Sequence, residues 1–275
     1  MALSNTAQRI LVSVAAIPLI IVSCIYGKSL FLLFSMLIGL GAFYEFSQMI
    51  RNKRGNVYLP LGLISVAAII ANKYFDFINF EYLVLLIVLF QLSAELFGNK
   101  GTEINNIGAS FAGIFYIGLF SAAILGIREF FPQYSPYYNQ GGLMIIGILI
   151  TIWVCDSAAF FLGVAFGKNK IFPRVSPKKS WEGSAAGFVF AILAMIANKS
   201  IFMDFLSWQD VIVIGIIVGV LGQIGDFVES LIKRDASVKD SSNLIPGHGG
   251  IFDRFDSLLF TAPVIYIYMN SFMTY

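Results

Sequence analysis

VIVIGIIVGVLGQIGDFVESLIKRD, residues 211–235, is the stretch that decides the fold class. It is apolar over most of the length that a helix needs to cross the hydrocarbon core of a bilayer, about 20 residues. Gly215, Gly219 and Gly222 recur every three or four residues on one helical face. Small residues at that spacing let a neighbouring helix approach closely. The stretch therefore predicts a membrane helix that packs tightly against another helix.

The composition extends this prediction to the whole chain. Charged residues make up 12% of the 275 residues and the mean hydropathy is +0.81, whereas soluble domains carry about 25% charged residues. The net charge of +2 is too small to indicate nucleic acid as a partner. Cys24 and Cys155 lie in apolar runs, so we expect small buried residues and not a disulfide or a thiolate metal site. The composition predicts an all-α polytopic membrane protein.

Apolar runs of bilayer-spanning length divide the chain into nine predicted spans. The N-terminus shows no small-residue cleavage site, so we interpret its apolar run as the first span and not as a removable signal. We expect a single integral membrane domain over residues 1–275, with N-terminal spans within 10–127 and the candidate site on C-terminal spans within 143–273. The predicted spans are 10–26, 29–49, 58–75, 80–97, 106–127, 143–166, 184–204, 209–232 and 255–273.

The basic residues predict an orientation, because loops rich in Lys and Arg stay in the cytoplasm. Most of the basic residues lie at the N-terminus and in the loops after the second, fourth, sixth and eighth spans. Arg9 is at the N-terminus, the bases of residues 51–54 follow the second span, and Lys100 follows the fourth. The remaining four stand alone in the opposite loops. This pattern predicts a cytoplasmic N-terminus, an external C-terminus and two charge-rich segments that face the cytoplasm. The four lone bases are Lys28, Lys73, Arg128 and Lys199.

Carboxylates continue the glycine face of the opening stretch. Asp226, Glu229, Ser230 and Lys233 follow at positions i, i+3, i+4 and i+7, which places them on one side of a helix. An ionised Asp at the centre of a membrane helix costs about 2.5–3.5 kcal/mol even on lenient insertion scales. That cost favours a cation as the partner of Asp226.

Two further carboxylates begin the last predicted span in GIFDRFDS, residues 250–257. Asp253 and Asp256 are three residues apart, so one helical turn places them on the same side and directs Arg254 away. We expect them to meet Asp226 at a cytoplasmic helix junction. Oxygen ligands with open positions suit Mg²⁺, which completes its shell with water and substrate phosphates. The alternative is a structural salt-bridge cluster with Lys233, Arg234 and Arg254.

Between these acids lies RDASVKDSSNLIPGHGG, residues 234–250. Its glycines, including Gly249 and Gly250, permit unusual backbone angles and close approach to a ligand, and a following helix N-terminus favours anions. Four bases, Lys233, Arg234, Lys239 and Arg254, supply the countercharge that a polyphosphate needs. The alternative is a flexible cytoplasmic loop whose bases only follow the orientation rule. That alternative explains the bases but not the acids and glycines beside them.

His248 is the single histidine of the chain. A general base adds little when the nucleophile is a phosphomonoester. The second pKa of a phosphomonoester is about 6, so the group is already largely ionised at pH 7. We therefore favour a phosphate contact or a structural role in the loop for His248.

A second segment, residues 151–183, again combines an acid inside an apolar span with a basic loop after it. Its sequence is TIWVCDSAAFFLGVAFGKNKIFPRVSPKKSWEG. Lys178, Lys179 and Ser180 form a second candidate phosphate site, and Trp181 equally suits an interfacial anchor. The alternative is a basic loop whose lysines only snorkel to the membrane surface. Asp156, inside the sixth span, is a further candidate metal ligand or the partner of a base. We expect Glu45 and Glu95 to be paired in a similar way.

Residues 230–256 resemble the signature of the phosphatidate cytidylyltransferases, also called CDP-diacylglycerol synthases. SPKKSWEG at 176–183, and Asp156 with Ala159 and Gly163, resemble a second conserved region of that family. The match is strongest in the C-terminal half, whereas the N-terminal spans share only general character. The matching signature positions are Ser230, Ile232, Lys233, Arg234, Lys239, Asp240, Ser242, Ile245, Pro246, His248, Gly249, Gly250, Ile251, Asp253, Arg254, Phe255 and Asp256.

The resemblance implies a polytopic transferase that condenses CTP with phosphatidic acid to CDP-diacylglycerol and pyrophosphate in phospholipid biosynthesis. It implies Mg²⁺, held by Asp226, Asp253 and Asp256, a monovalent cation such as K⁺ beside it, and a homodimer. Together with the placement of the basic residues, we expect a site on the cytoplasmic face of a bacterial inner membrane. A CTP-dependent lipid kinase is the nearest rival, since it needs the same polyphosphate site. An ion-coupled secondary transporter is the other, because acids within a membrane often mark ion paths.

Overall fold

The structure, a computed structural model, describes residues 5–53, 55–98 and 101–273, and within these ranges it is helical apart from turns and loops. The described residues form nine continuous helices and no strand longer than an isolated bridge. In chain order they are α1 Asn5–Tyr26, α2 Lys28–Asn52, α3 Leu59–Phe75, α4 Phe80–Glu95, α5 Glu103–Arg128, α6 Tyr138–Phe166, α7 Trp181–Ile201, α8 Trp208–Asp235 and α9 Ile251–Phe272.

Each predicted span falls on one of these helices in the predicted order, and the all-α class is confirmed. Five helices, α2, α5, α6, α7 and α8, are long and apolar enough to cross a membrane. The apolar part of α1 and helix α3 are shorter. The chain is therefore a membrane protein, whereas the count of nine spans stays a prediction. The predicted orientation also stays a prediction. Three of the bases on which it depends, Arg54, Lys100 and the side chain of Arg9, lie outside the described residues.

The four lone bases belong to helices and not to loops, which corrects the sequence interpretation. Arg128, the last residue of α5, is fully buried. Its guanidinium donates to the carbonyl oxygens of Cys24 and of Ile25, the latter at 3.0 Å, near the end of α1. Carbonyls at a helix C-terminus lack partners within the helix, and a buried Arg satisfies them. Arg128 therefore has a structural task and does not report on orientation.

The chain divides into two compact units, each made of separate chain segments. The first unit comprises residues 5–23, Lys28–Gly126 and Ile232–Phe255, and the second comprises Cys24–Gly27, Ile127–Leu231 and residues 256–273. In the first unit α3 packs on α2 and on α5, and in the second α7 packs on α6 and α8. The first unit therefore contains the loop that follows α8 as well as the N-terminal helices.

Glycines bring the backbones of α6 and α7 into contact in the second unit. A Cβ atom at Gly183 would lie 2.6 Å from the carbonyl oxygen of Ala159 and 2.8 Å from Cα of Gly163. A Cβ atom at Gly187 would lie 3.0 Å from the carbonyl oxygen of Cys155. Small residues are required here because any side chain would have to displace backbone.

The predicted glycine face of α8 is split by a π-helical turn at Val218–Gly222. Cβ positions at Gly215 and Gly219 lie 3.0 Å from Ile192 Cα and 3.2 Å from Phe188 Cα on α7, whereas that of Gly222 lies 3.7 Å from Thr261 on α9. A π-helical turn holds an extra residue, so it rotates the positions after it relative to those before it. The prediction that all three glycines share one helical face was wrong for this reason. Gly215 and Gly219 face α7, whereas Gly222 faces α9.

Substitution of Gly183 by Ala should destabilise the protein, because the new methyl group meets backbone that cannot move aside without separating α6 from α7. Overpacking of this kind costs about 1–3 kcal/mol, and each kcal/mol lowers the unfolding midpoint by about 2–4 °C in a chain of this size. The measurement is thermal unfolding in detergent. Gly108→Ala is the matched control, since a Cβ atom there meets nothing within 4 Å. An unchanged midpoint for Gly183→Ala would contradict the packing.

Candidate active site

Three carboxylates come together in the second unit. Asp226 and Glu229 lie one turn apart on α8, and Asp256 lies in the first turns of α9. One carboxylate oxygen of each lies within 4.8 Å of those of the other two. Glu229 is only 1% exposed. We call Asp226, Glu229 and Asp256 the acidic cluster.

Lys179 and several polar groups contact the acidic cluster. Lys179 forms an ion pair with Asp226, and its ammonium also lies 4.6 Å from the centre of the Phe227 ring. The Ser230 hydroxyl donates to Asp226 at 3.3 Å, and the Ser257 N–H donates to Asp256 at 2.7 Å. The segment that carries Lys179 thus reaches Asp226 on α8, a pairing that the salt-bridge alternative with Lys233, Arg234 and Arg254 did not include.

The acidic cluster fits a divalent cation. Three carboxylates so close together repel one another, and a bound cation relieves that repulsion. Carboxylate oxygens are the ligands that Mg²⁺ takes, with water and substrate phosphates at its other positions. Asp156 on α6 interacts electrostatically with Asp256 and is itself exposed, so it lies near enough to add to the negative field.

Glu229 is the member of this cluster that the sequence prediction of ligands omitted. The signal was present, since Glu229 follows Asp226 by one turn on the same predicted face. Asp253 was predicted to join Asp226 and Asp256, and the cluster formed by the described residues does not include it. Its role as a metal ligand stays a prediction.

Asp253 instead has a close set of donors in the first unit. The Lys233 ammonium lies 2.7 Å from its Oδ1, and the N–H groups of Ser241 and Gly250 donate to Oδ2 at 2.9 and 2.8 Å. The Asp253 side chain is 4% exposed. Lys233 and Asp253 therefore form a buried ion pair with backbone support, which is the geometry that such pairs need.

Residues 236–250, which we call the α8–α9 loop, have the backbone that their glycines predict. Gly247 and Gly249 have φ values of +76° and +86°, in the left-handed region that favours glycine. A side chain at Gly249 would also meet the Asp253 carboxylate. His248 in this loop lies 3.3 Å from the Ser13 hydroxyl through Nε2. That contact supports a structural role for His248, while its contact with phosphate stays a prediction.

The other predicted phosphate ligands are placed as follows. Arg234, Lys239 and Arg254 are exposed, and Arg234 also donates to the carbonyl oxygen of Val238 at 2.9 Å. Lys178 is exposed as well. Ser180 is buried and caps α7 by accepting from the Gly183 N–H at 3.3 Å, so its hydroxyl has a structural task. These four exposed bases are accessible to an anionic ligand.

The carboxylates of Glu45 and Glu95 accept from neutral donors where the sequence interpretation expected bases. Glu95 accepts from the side-chain amide of Asn106 at 2.6 Å. Glu45 accepts from hydroxyl and N–H groups of residues 241–252. The sequence contains no local sign of the Glu45 contacts, because the partners of Glu45 lie about 200 residues away along the chain.

Comparison with known proteins decides the family. The family model described as "Cytidylyltransferase family" matches residues 7–272. This chain belongs to the cytidylyltransferase family. The match covers nearly the full described length, including the residues of the acidic cluster, the α8–α9 loop and the N-terminal helices, so the family resemblance seen in residues 230–256 is confirmed.

Curated proteins named phosphatidate cytidylyltransferase are similar to this chain. That of Bacillus subtilis is 31% identical over 270 residues, which cover 96% of this chain and 98% of that protein. The protein of Staphylococcus epidermidis is 30% identical over 94% of this chain and 97% of its own length. That of Haemophilus influenzae is 40% identical over 149 residues, 52% of this chain and 51% of its own.

The Lys233–Asp253 ion pair can be tested by its contribution to stability. Lys233→Met should lower the stability by about 3 kcal/mol or more, because it leaves the Asp253 carboxylate buried without its ammonium partner. Adding Asp253→Asn should recover about 1–3 kcal/mol of that loss as coupling energy. Thermal unfolding of the two single variants and the double variant in detergent measures the coupling. Strictly additive losses would contradict a direct Lys233–Asp253 pair.

Proposed function

We propose that this protein is a phosphatidate cytidylyltransferase, which condenses CTP with phosphatidic acid to CDP-diacylglycerol and pyrophosphate in phospholipid biosynthesis. The similarity to the Bacillus subtilis protein of that name over 96% of this chain carries the proposal. The carboxylate and Lys/Arg groups of the candidate site supply the charges that such a reaction needs. The nearest rival, a lipid kinase, is not favoured by the family match, and neither is a transporter.

The reaction we propose is an in-line displacement at phosphorus. A phosphate oxygen of phosphatidic acid forms a bond to the α-phosphorus of CTP, and the bond from that phosphorus to the bridging α–β oxygen breaks. The electron pair of that bond leaves with pyrophosphate. Catalysis of phosphoryl transfer of this kind consists mainly of positioning and charge neutralisation.

Asp226, Glu229 and Asp256 would hold Mg²⁺, and the predicted ligand Asp253 lies one turn before Asp256 on α9. Mg²⁺, when bound, withdraws charge from phosphate oxygens and so favours departure of pyrophosphate. The acids themselves fix where the cation sits, since two of them are on α8 and one on α9. A monovalent cation such as K⁺ near the same acids is part of the proposal on family resemblance alone.

The basic and polar residues have separate proposed tasks. Lys233, through its pair with Asp253, orders the residues beside the α8–α9 loop, and Arg234, Lys239 and Arg254 would bind the triphosphate. Lys178 and Lys179 would bind the lipid phosphate or pyrophosphate. No general base is required, because a phosphomonoester with a second pKa near about 6 is already largely ionised at pH 7. The proposed substrate contacts are Ser180, Ser230, His248, Gly249 and Gly250.

The proposal extends to the surroundings of the enzyme. Both substrate and product are lipids, and five helices suit a bilayer, so phosphatidic acid would enter from the membrane. The concentration of bases in alternate loops supports a site that faces the cytoplasm, and the bacterial relatives support an inner membrane as its location. A homodimer is proposed from the family resemblance only.

Purified protein supplied with phosphatidic acid, Mg²⁺ and CTP labelled on the α-phosphorus should transfer the label into lipid. The transferase retains the α-phosphorus in CDP-diacylglycerol, whereas a lipid kinase leaves it in CDP. Thin-layer separation of lipid from nucleotide measures this directly. Lipid labelled only from γ-labelled CTP would establish the kinase instead.

Asp226→Asn should abolish turnover at all Mg²⁺ concentrations and leave the protein folded, because the amide keeps the shape but loses the charge that a cation requires. Glu229→Gln should raise the Mg²⁺ concentration for half-maximal rate by about 10- to 100-fold. Initial rates over a Mg²⁺ titration provide the measurement. The matched control is Asp204→Asn, at an exposed position in the same unit, which should match wild type. Full activity of Asp226→Asn at saturating Mg²⁺ would exclude Asp226 as a ligand.

A further inference from the structure

Glu45, on α2, is a fully buried carboxylate outside the acidic cluster and the predicted substrate contacts. It lies 196 residues before Ser241 and 207 before Phe252 along the chain, yet both contact it. Burial of an acid is unfavourable unless donors satisfy it. The identity of those donors shows what the acid does.

Four donors reach Glu45, two at each carboxylate oxygen. Oε1 accepts from the Ser242 hydroxyl at 2.6 Å and from the Ile251 N–H at 2.9 Å. Oε2 accepts from the Ser241 hydroxyl at 2.8 Å and from the Phe252 N–H at 2.8 Å. A carboxylate offers acceptors only, so this arrangement uses both of its oxygens fully. All four donors belong to the α8–α9 loop or to the start of α9.

The two backbone donors are the first N–H groups of α9. Such groups have no partner within their helix, and a negative charge near a helix N-terminus is stabilising. Glu45 thus acts as a cap for α9 that is supplied by a different helix. It fixes the point at which the α8–α9 loop ends and α9 begins.

The same contacts extend to Asp253 within the first unit. The Ser241 hydroxyl lies 2.8 Å from Glu45 and 2.9 Å from Asp253, so it can donate to either carboxylate. The N–H groups of Ser241 and Gly250 donate to Asp253 directly. A side chain at Gly250 would meet both the Ser241 hydroxyl and the Glu45 carboxylate. Asp253 is therefore placed by backbone that Glu45 holds.

We infer that Glu45 is a positioning residue for the transferase reaction, which acts by holding the α8–α9 loop and the start of α9 so that Asp253 and its partner Lys233 stay in place. This inference rests on the proposed function for its link to turnover. Its structural part, the hold on the loop, is independent of which reaction the protein catalyses.

Glu45→Gln tests the inference because it replaces one acceptor oxygen by an NH₂ donor that faces a hydroxyl and an N–H. Hydrogen–deuterium exchange should accelerate by about tenfold or more in peptides that cover residues 241–256, since a buried hydrogen bond to an N–H is lost. Peptides from α3 and α6 should exchange as in wild type. The catalytic rate should fall on the order of 10- to 100-fold, as expected when reacting groups are misplaced.

Glu95→Gln is the matched control, because it makes the same chemical change at an acid of the first unit that accepts from Asn106 and not from the loop. It should leave both the exchange of residues 241–256 and the rate unchanged. Should Glu45→Gln fail to fold, Ser242→Ala removes a single donor and should give the same local pattern with a smaller amplitude.

Unchanged hydrogen–deuterium exchange at residues 241–256 in folded Glu45→Gln, or in Ser242→Ala where Glu45→Gln does not fold, would overturn the inference. So would exchange that rises equally in α3 and α6, since that result describes general loosening of the fold. A wild-type protein that forms no CDP-diacylglycerol would refute the proposed function in the rate assay, whereas the exchange data would still report whether Glu45 holds the loop.

Discussion

A carboxylate inside a helical membrane protein is stable only when other groups compensate for its charge, and the candidate site depends on how this chain meets that requirement. Lys179 pairs with Asp226, Lys233 pairs with Asp253, and hydroxyl and N–H groups surround Glu45. Each of these sets of contacts holds a loop or a helix end in place as well as satisfying a carboxylate. The charged residues therefore specify local structure in a chain whose apolar residues mostly specify that helices form.

Glu229 and Asp256 place further negative charge beside Asp226, with one carboxylate oxygen of each within 4.8 Å of the others. Clustered carboxylate oxygens suit a divalent cation, whose remaining positions are open to water and substrate phosphates. The Lys179 ammonium pairs with Asp226, one member of this cluster.

The sequence predicts those features that arise from local pattern. Apolar runs located the nine helices of the described residues to within about five residues, and the i, i+3 spacing of Asp226 and Glu229 placed both acids on one face. The family resemblance of residues 230–256 was confirmed over residues 7–272. Glycines at 247 and 249 have the left-handed backbone that a glycine-rich loop predicts.

Other features depend on contacts between distant parts of the chain, which no local pattern encodes. The π-helical turn at Val218–Gly222 rotates Gly222 away from Gly215 and Gly219, and a count of residues on an ideal helix cannot anticipate it. Arg128 looked like a loop residue, but it satisfies carbonyls of α1. Likewise, Glu45 has its donors about 200 residues away, so only the folded chain shows that an N-terminal helix caps α9.

The carboxylates of α8 and α9 are proposed to hold the divalent cation of the reaction, and an experimental structure can locate that cation. Crystals with Mn²⁺ in place of Mg²⁺ and a non-reactive CTP analogue would reveal the metal by its anomalous scattering. We predict an anomalous peak coordinated by at least two of Asp226, Glu229 and Asp256. A peak bound by other residues, with these three carboxylates making no contact to metal, would contradict the proposed site.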